Sequence, residues 1–195
     1  MVRSYRKPFF YMLVIFQLIP IPLPAEERPI AGPELTVTAG YLGEMLSHPG
    51  FQAGAELSIL QSGWNELSAS GRFMFFTIPY YSTDLILDVG ILYRCNFPFG
   101  LCLSIEAGTG YLHYFLGAKR YDYIDGAVIE IPDYGTPMWV FDGWLGLGWN
   151  FMLNENQPAG IYLKVGYLGE YPNNFGVLSH LVTEVGLSWT MGRLL

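Results

Sequence analysis

Lysine is nearly missing from this chain. Lys7 sits in a basic start, and only Lys119 and Lys164 follow it. A soluble domain normally spreads mixed charge, lysine prominent, over its exterior, so the residues for an ordinary water-facing surface are not there. Basic clusters are also lacking and the net charge is −7, which excludes nucleic acid as a partner held through its phosphates. Histidine is limited to His48, His113 and His180, and cysteine to Cys95 and Cys102. No metal or thiol-catalytic spacing accompanies the cysteines, and no cofactor is expected. No segment carries a convincing helical period.

Arg3, Arg6 and Lys7 open the chain, followed by an apolar stretch over 8–23 broken only by Gln17. Leu23-Pro24-Ala25 closes it before Glu26-Glu27. Basic head, apolar middle and small-residue cut predict a secretory signal peptide over 1–25 and a single mature domain over 26–195. Pro20, Pro22 and Pro24 oppose the alternative of a long spanning helix. Export permits a disulfide between Cys95 and Cys102, but strict alternation puts the two on opposite faces, so a bridge would need a bulge.

Alternation with period two recurs over 34–44, 51–62, 66–78, 83–95, 101–115, 138–151, 161–170 and 180–191. In the fourth run Leu85, Leu87, Val89, Ile91 and Tyr93 oppose Ile86, Asp88, Gly90, Leu92 and Arg94. One face is large and apolar; the other is small or charged, with apolar exceptions. A soluble barrel would turn the apolar face inward around an apolar ligand. A membrane barrel would turn it toward lipid and fill its lumen with the other face. The scarcity of lysine and the glycine on the polar face favour the second. So does a set of mixed charges able to pair inside: Glu56, Glu66, Asp88, Glu106, Asp142 and Glu184 with Arg72, Arg94 and Lys164. The expected fold is all-β, a closed antiparallel up-and-down transmembrane barrel of about eight strands. The connections after strands two, four and six (63–65, 96–100, 154–160) read as short periplasmic turns. Those after one, five and seven read as longer outer loops, the longest being 116–137.

In architecture the mature chain resembles the small OmpA-type and OmpX-type outer-membrane barrels of Gram-negative bacteria. Val185-Gly186-Leu187-Ser188-Trp189 is similar to the terminal signal read by barrel-assembly machinery, although Arg193-Leu194-Leu195 stands where a terminal aromatic is usual. Gly40-Tyr41-Leu42-Gly43-Glu44 with His48-Pro49-Gly50 resembles a pattern in small uncharacterised Gram-negative barrel proteins. The resemblance implies the outer membrane as location, with its lipid and lipopolysaccharide and the assembly machinery as partners. It brings no activity. Barrel lipid A deacylases and palmitoyl transferases share the size class, and their catalytic motifs are not matched here.

Gly-Tyr-Leu-Gly-Glu occurs at 40–44 and again at 166–170, and each copy precedes a Ser-His pair, Ser47-His48 and Ser179-His180. In a closed barrel of eight the two copies flank the last strand, and alternation turns Glu44, Glu170 and His180 inward at the outer rim. His48 lies in the first loop, and His113 reaches the same end facing lipid headgroups unless a bulge at Gly108 or Gly110 reverses it. Three readings follow. The first is a polar rim on a structural or interaction barrel. The second is an acyl hydrolase acting on outer-leaflet lipid, with Ser179 or Ser47 as nucleophile, a histidine as base and a glutamate orienting it. The third is a divalent metal on His48, His180, Glu44 and Glu170. Tyr121, Asp122, Tyr123, Asp125, Glu130, Asp133 and Tyr134 make the long loop acidic and aromatic, suited to calcium or a surface partner. Tyr41, Tyr80, Tyr81, Tyr111 and Tyr114 at one end, and Trp64, Phe97, Phe99, Trp149 and Phe151 at the other, read as interface girdles.

Overall fold

In the computed structural model, which describes residues 33–44, 48–124, 126–151, 159–173 and 176–193, the alternating runs become strands. They are β1 (Glu34–Glu44), β2 (His48–Ser62), β3 (Asn65–Ile78), β4 (Ser82–Asn96) and β5 (Leu101–Leu116), then β8 (Thr136–Phe151), β9 (Ala159–Asn173) and β10 (Gly176–Arg193). These eight close in the order β1-β10-β9-β8-β5-β4-β3-β2, every neighbouring pair antiparallel. Closure leaves no edge, as a lipid environment requires. The signal segment 1–25 lies outside the described residues.

The structure differs from the sequence reading at the connections. The 116–137 segment is not all loop. It holds a separate hairpin of β6 (Arg120–Ile124) and β7 (Ala127–Ile131). The connections after the first and seventh wall strands are short, spanning only 45–47 and 174–175, because β2, β9 and β10 run on past the alternating apolar core of each run. One long loop therefore remains. It lies at the end opposite both β1's start and β10's finish, and membrane barrels of this kind carry their longer loops at the extracellular end.

Alternation sorts the side chains. Among the described residues, no outward position of the wall strands between Leu35 and Met191 carries Asp, Glu, Lys or Arg. Leu87, Val89, Ile91, Leu145, Leu163, Val185 and Leu187 stand exposed there instead. A charge on a lipid-facing wall costs about 2–4 kcal/mol at the bilayer midplane, and this wall avoids that cost throughout. The apolar face points out, so the arrangement of a soluble carrier is not the one adopted. The chain is a transmembrane β-barrel.

The lumen is filled. Most apolar exceptions of the inner face gather into one cluster, Leu42, Met74, Phe76, Ile86, Leu112, Val140, Trp144, Leu168 and Val182, with Leu92 buried apart from it. Trp144 fits because its indole lies against Gly166, where any Cβ would collide with the ring. Below this cluster lies the ionic part of the lumen, and below that a periplasmic cavity of about 470 Å³ lined by polar groups such as Thr36, Asn96, Asn150 and Ser188. Tyr114 turns inward and packs on the apolar cluster, so it does not belong to the outer girdle. Cys95 and Cys102 are free thiols, and unbroken β4–β5 register sets Cys102 opposite Asn96 with no bulge to bring the two cysteines together.

Candidate functional site

Two polar assemblies occupy the inner face, and a third lies outside the mouth. The deepest centres on Arg72. Its Nε donates to Asp88 Oδ1 at 2.9 Å and its Nη2 to Asp142 Oδ1 at 2.9 Å, while Nη1 stands 3.5 Å from Glu106. The guanidinium lies 4.9 Å from the centroid of the Trp144 ring, and Trp144 Nε1 donates to Asp142 at 2.8 Å. Asp88 and Asp142 both crowd the space over Gly108, which has no side chain to displace them. Lys164 carries the network onward, donating to Glu106 at 3.0 Å and standing 3.6 Å from Glu56. Arg94 pairs with Glu56 and lies 3.5 Å from Glu66. Tyr162 donates to Glu184 at 2.5 Å and stands 3.1 Å from the Gln52 amide. All nine charges singled out in the sequence thus face the lumen, and every carboxylate except Glu184 has Arg or Lys as a direct ion-pair partner.

The second assembly is the rim. Register places β10 between β1 and β9, so the two Gly-Tyr-Leu-Gly-Glu copies flank His180 with the same parity. Their leucines, Leu42 and Leu168, join the apolar cluster. Their glutamates reach His180 from either side. Nδ1 meets Glu44 Oε1 at 2.5 Å, and Nε2 stands 3.2 Å from Glu170 Oε1. His48 adds Nδ1 at 2.6 Å from Glu44 Oε2. A carboxylate stands against each ring nitrogen, a setting that favours the imidazolium; Nδ1 makes a hydrogen bond, and Nε2 is in ion-pair contact outside hydrogen-bond geometry. Asp84, buried and hydrogen-bonded to Ser82 at 3.2 Å, lies on the same inner face next to Phe76 in register and escaped the sequence reading. Its parity with Asp88, four residues on along β4, was the available signal.

Neither chemistry proposed for the rim finds its geometry. Ser179 precedes His180 on a strand and so points the other way, out of the wall, with its hydroxyl 2.5 Å from Tyr167 Oη. A nucleophile and base on opposite faces cannot exchange a proton. Ser47 lies outside the described residues. His113 also faces outward, since β5 pairs on both sides without a bulge at Gly108 or Gly110. Among the described residues no group of His, Cys, Asp and Glu is arranged to hold a metal ion.

The third assembly fastens the long loop. His113 bonds Tyr111 Oη at 2.8 Å through one nitrogen and the Tyr134 carbonyl at 3.0 Å through the other. Asp133 accepts from the backbone N–H of Leu116 at 2.7 Å and of Gly135 at 3.2 Å, with Arg120 at 3.4 Å. The Leu116 N–H, helped by Gly135 and Arg120, holds the Asp133 carboxyl below its ordinary range. A depressed value means the clasp is present above the ordinary carboxylate range and is lost only as pH falls through the lowered one. Asp133→Asn is expected to raise the exchange rate of the Leu116 amide wherever the parent carboxylate is ionised, the difference closing only as pH falls through its lowered range. The parent amide stays protected from neutral pH down into the ordinary aspartate range. Amide exchange followed by NMR in micelles checks both, and an unprotected Leu116 amide in the parent at neutral pH would remove the clasp.

No family model matches the chain, and no curated protein does. Several solved structures are similar in shape. The Neisserial surface protein A is 10% identical over 84% of this chain and 98% of that one, with a TM-score of 0.47. The N-terminal β-barrel domain of Pseudomonas aeruginosa OprF is 12% identical over 84% and 100%, with a TM-score of 0.46. The outer membrane enzyme PagL is 13% identical over 82% and 99%, with a TM-score of 0.42.

Proposed function

We propose that this barrel is a structural and interaction module, a closed anchor that holds the 120–131 ribbon at the cell surface. The observation that carries the reading is the occluded lumen. A fully buried apolar cluster spans it above a network of paired charges, which supports an anchor and speaks against a diffusion pore. The hairpin is the largest feature beyond the wall among the described residues, and almost all of its side chains are exposed. Outer-leaflet lipopolysaccharide and an extracellular partner are the contacts this reading provides for. Assembly through β10 by the barrel machinery belongs to the same reading. The lipid-hydrolase alternative gains no support from a rim whose serine points away.

Vesicles carrying the refolded barrel are expected to show no arabinose-driven swelling beyond that of empty vesicles. Outer-membrane lipid from cells making the protein should match, by mass spectrometry, lipid from cells making the His48→Ala, His113→Ala, His180→Ala variant. Sugar entry would replace the anchor with a pore. A lipid changed only by the parent would replace it with an enzyme.

A further inference from the structure

The hairpin's root is tied to the outside of the wall rather than over its mouth. His113, whose Nε2–H donates to the Tyr134 carbonyl, faces outward on β5 beside Tyr111 and Phe115. Gly135 sits directly against the His113 ring, in a left-handed turn (φ 76°) that glycine adopts without strain. The loop therefore leaves the barrel along its lipid-facing side and continues the apolar wall. The described charges of the loop are engaged within it. Lys119 pairs with Glu130 at 2.7 Å, Arg120 with Asp133 at 3.4 Å, and Asp122 accepts from the Tyr123 backbone at 2.8 Å.

What the ribbon displays is aromatic and apolar. Register sets Tyr121 opposite Glu130 and Tyr123 opposite Val128, so Tyr121, Tyr123, Val128 and the Lys119-paired Glu130 share one face, with Arg120, Asp122, Ile124, Ala127, Ile129 and Ile131 on the other. Tyr123 is 71% exposed, Val128 69% and Tyr134 80%. Exposed tyrosines with an apolar body and a polar tip suit the headgroup level of a bilayer, where the outward Tyr111 and Trp139 of the wall already stand.

We infer that the 120–131 ribbon is a lipid-binding strap, its Tyr121–Tyr123–Val128 face laid on the outer leaflet as an extension of the barrel's aromatic girdle. The occupant is the membrane lipid itself, an assignment resting on continuity with the lipid-facing wall. The inference deepens the anchor reading by naming the ribbon's partner, and it rests on that reading.

The test places single nitroxide labels at Val128→Cys, Asp122→Cys and Leu145→Cys, each in a Cys95→Ser, Cys102→Ser background refolded into dimyristoylphosphatidylcholine vesicles. Leu145 supplies a lipid-facing reference on the wall. Power saturation then compares accessibility to oxygen, which concentrates in lipid, with accessibility to a water-soluble nickel chelate. The oxygen-to-nickel ratio at 128 is expected to exceed that at 122 severalfold and to approach that at 145. Equal ratios at 128 and 122, or a higher ratio at 122, would overturn the strap. Heat-modifiable migration shows that each labelled barrel is folded. Failure of the strap leaves the sugar-entry and lipid results unaffected, so it is distinguishable from failure of the anchor.

Discussion

Arg72→Met is expected to cost the barrel about 3–5 kcal/mol, the range for removing one partner of a buried ion pair. The size follows from what is left behind. Asp88 and Asp142 lose their hydrogen-bonded cation, and Glu106 keeps only Lys164 and the Ser70 hydroxyl. Methionine fills much of the volume and can still touch Trp144, so the loss is chiefly electrostatic. Neutralising the stranded acids tests that directly. Arg72→Met with Asp88→Asn and Asp142→Asn should recover most of the loss, because uncharged amides tolerate the site without a cation. Arg72→Lys should fall between, since a point charge cannot serve Asp88, Asp142 and Glu106 with the fork of a guanidinium. Urea titration of the refolded barrel in vesicles, read by tryptophan fluorescence, reports all three midpoints at unchanged slope. A loss below about 1 kcal/mol for Arg72→Met, the range of an exposed pair, would mean that lumen water screens these charges.

The fold was legible because a membrane barrel writes its surface into period two. Every wall strand appeared as an alternating run, and the repeated Gly-Tyr-Leu-Gly-Glu announced two strands with equivalent inner residues. Alternation also contained the answer for Ser179. Adjacent residues on a strand face opposite ways, so Ser179 and His180 could never have met inside. Reading the pair as a unit set a sequence habit of hydrolases above the geometry of the strand. Other features had no local signal. Strand ends beyond the apolar belt lose their hydrophobic periodicity, which hid the extension of β9 to Asn173 and the start of β10 at Gly176. The β6–β7 hairpin is exposed on both faces and so shows no in-and-out pattern. That Leu42, Met74, Phe76, Ile86, Leu112, Val140, Trp144, Leu168 and Val182 form a single layer depends on strand stagger, which one sequence does not state.

The rim supplies the second large effect. His180 joins β10 to β1 through Glu44 and to β9 through Glu170, while His48 on β2 holds the other Glu44 oxygen. Four consecutive wall strands are thus tied across the seam where the first and last strands meet. His180→Ala is expected to cost about 3 kcal/mol, near the value for uncovering a buried charge, and to speed amide exchange along the β1–β10 pairing. Adding Glu44→Gln and Glu170→Gln should return much of that stability, since the acids then no longer need the imidazolium. A double-mutant cycle between His180→Ala and Glu44→Gln should give a coupling of about 1 kcal/mol or more, as expected for residues in one network. Ser179→Ala is the control. Its hydroxyl meets Tyr167 on the exposed wall, and its loss should stay within about 0.5 kcal/mol. A clasp predicts this contrast between neighbouring residues, with lipid composition unchanged throughout. An active site predicts the reverse, with stability indifferent to His180 and lipid chemistry sensitive to it, because a group poised for proton transfer need not hold strands together. Glu44 holds one ring nitrogen of His180 and Glu170 stands against the other, an arrangement that suits a fastener across the closing seam of the barrel.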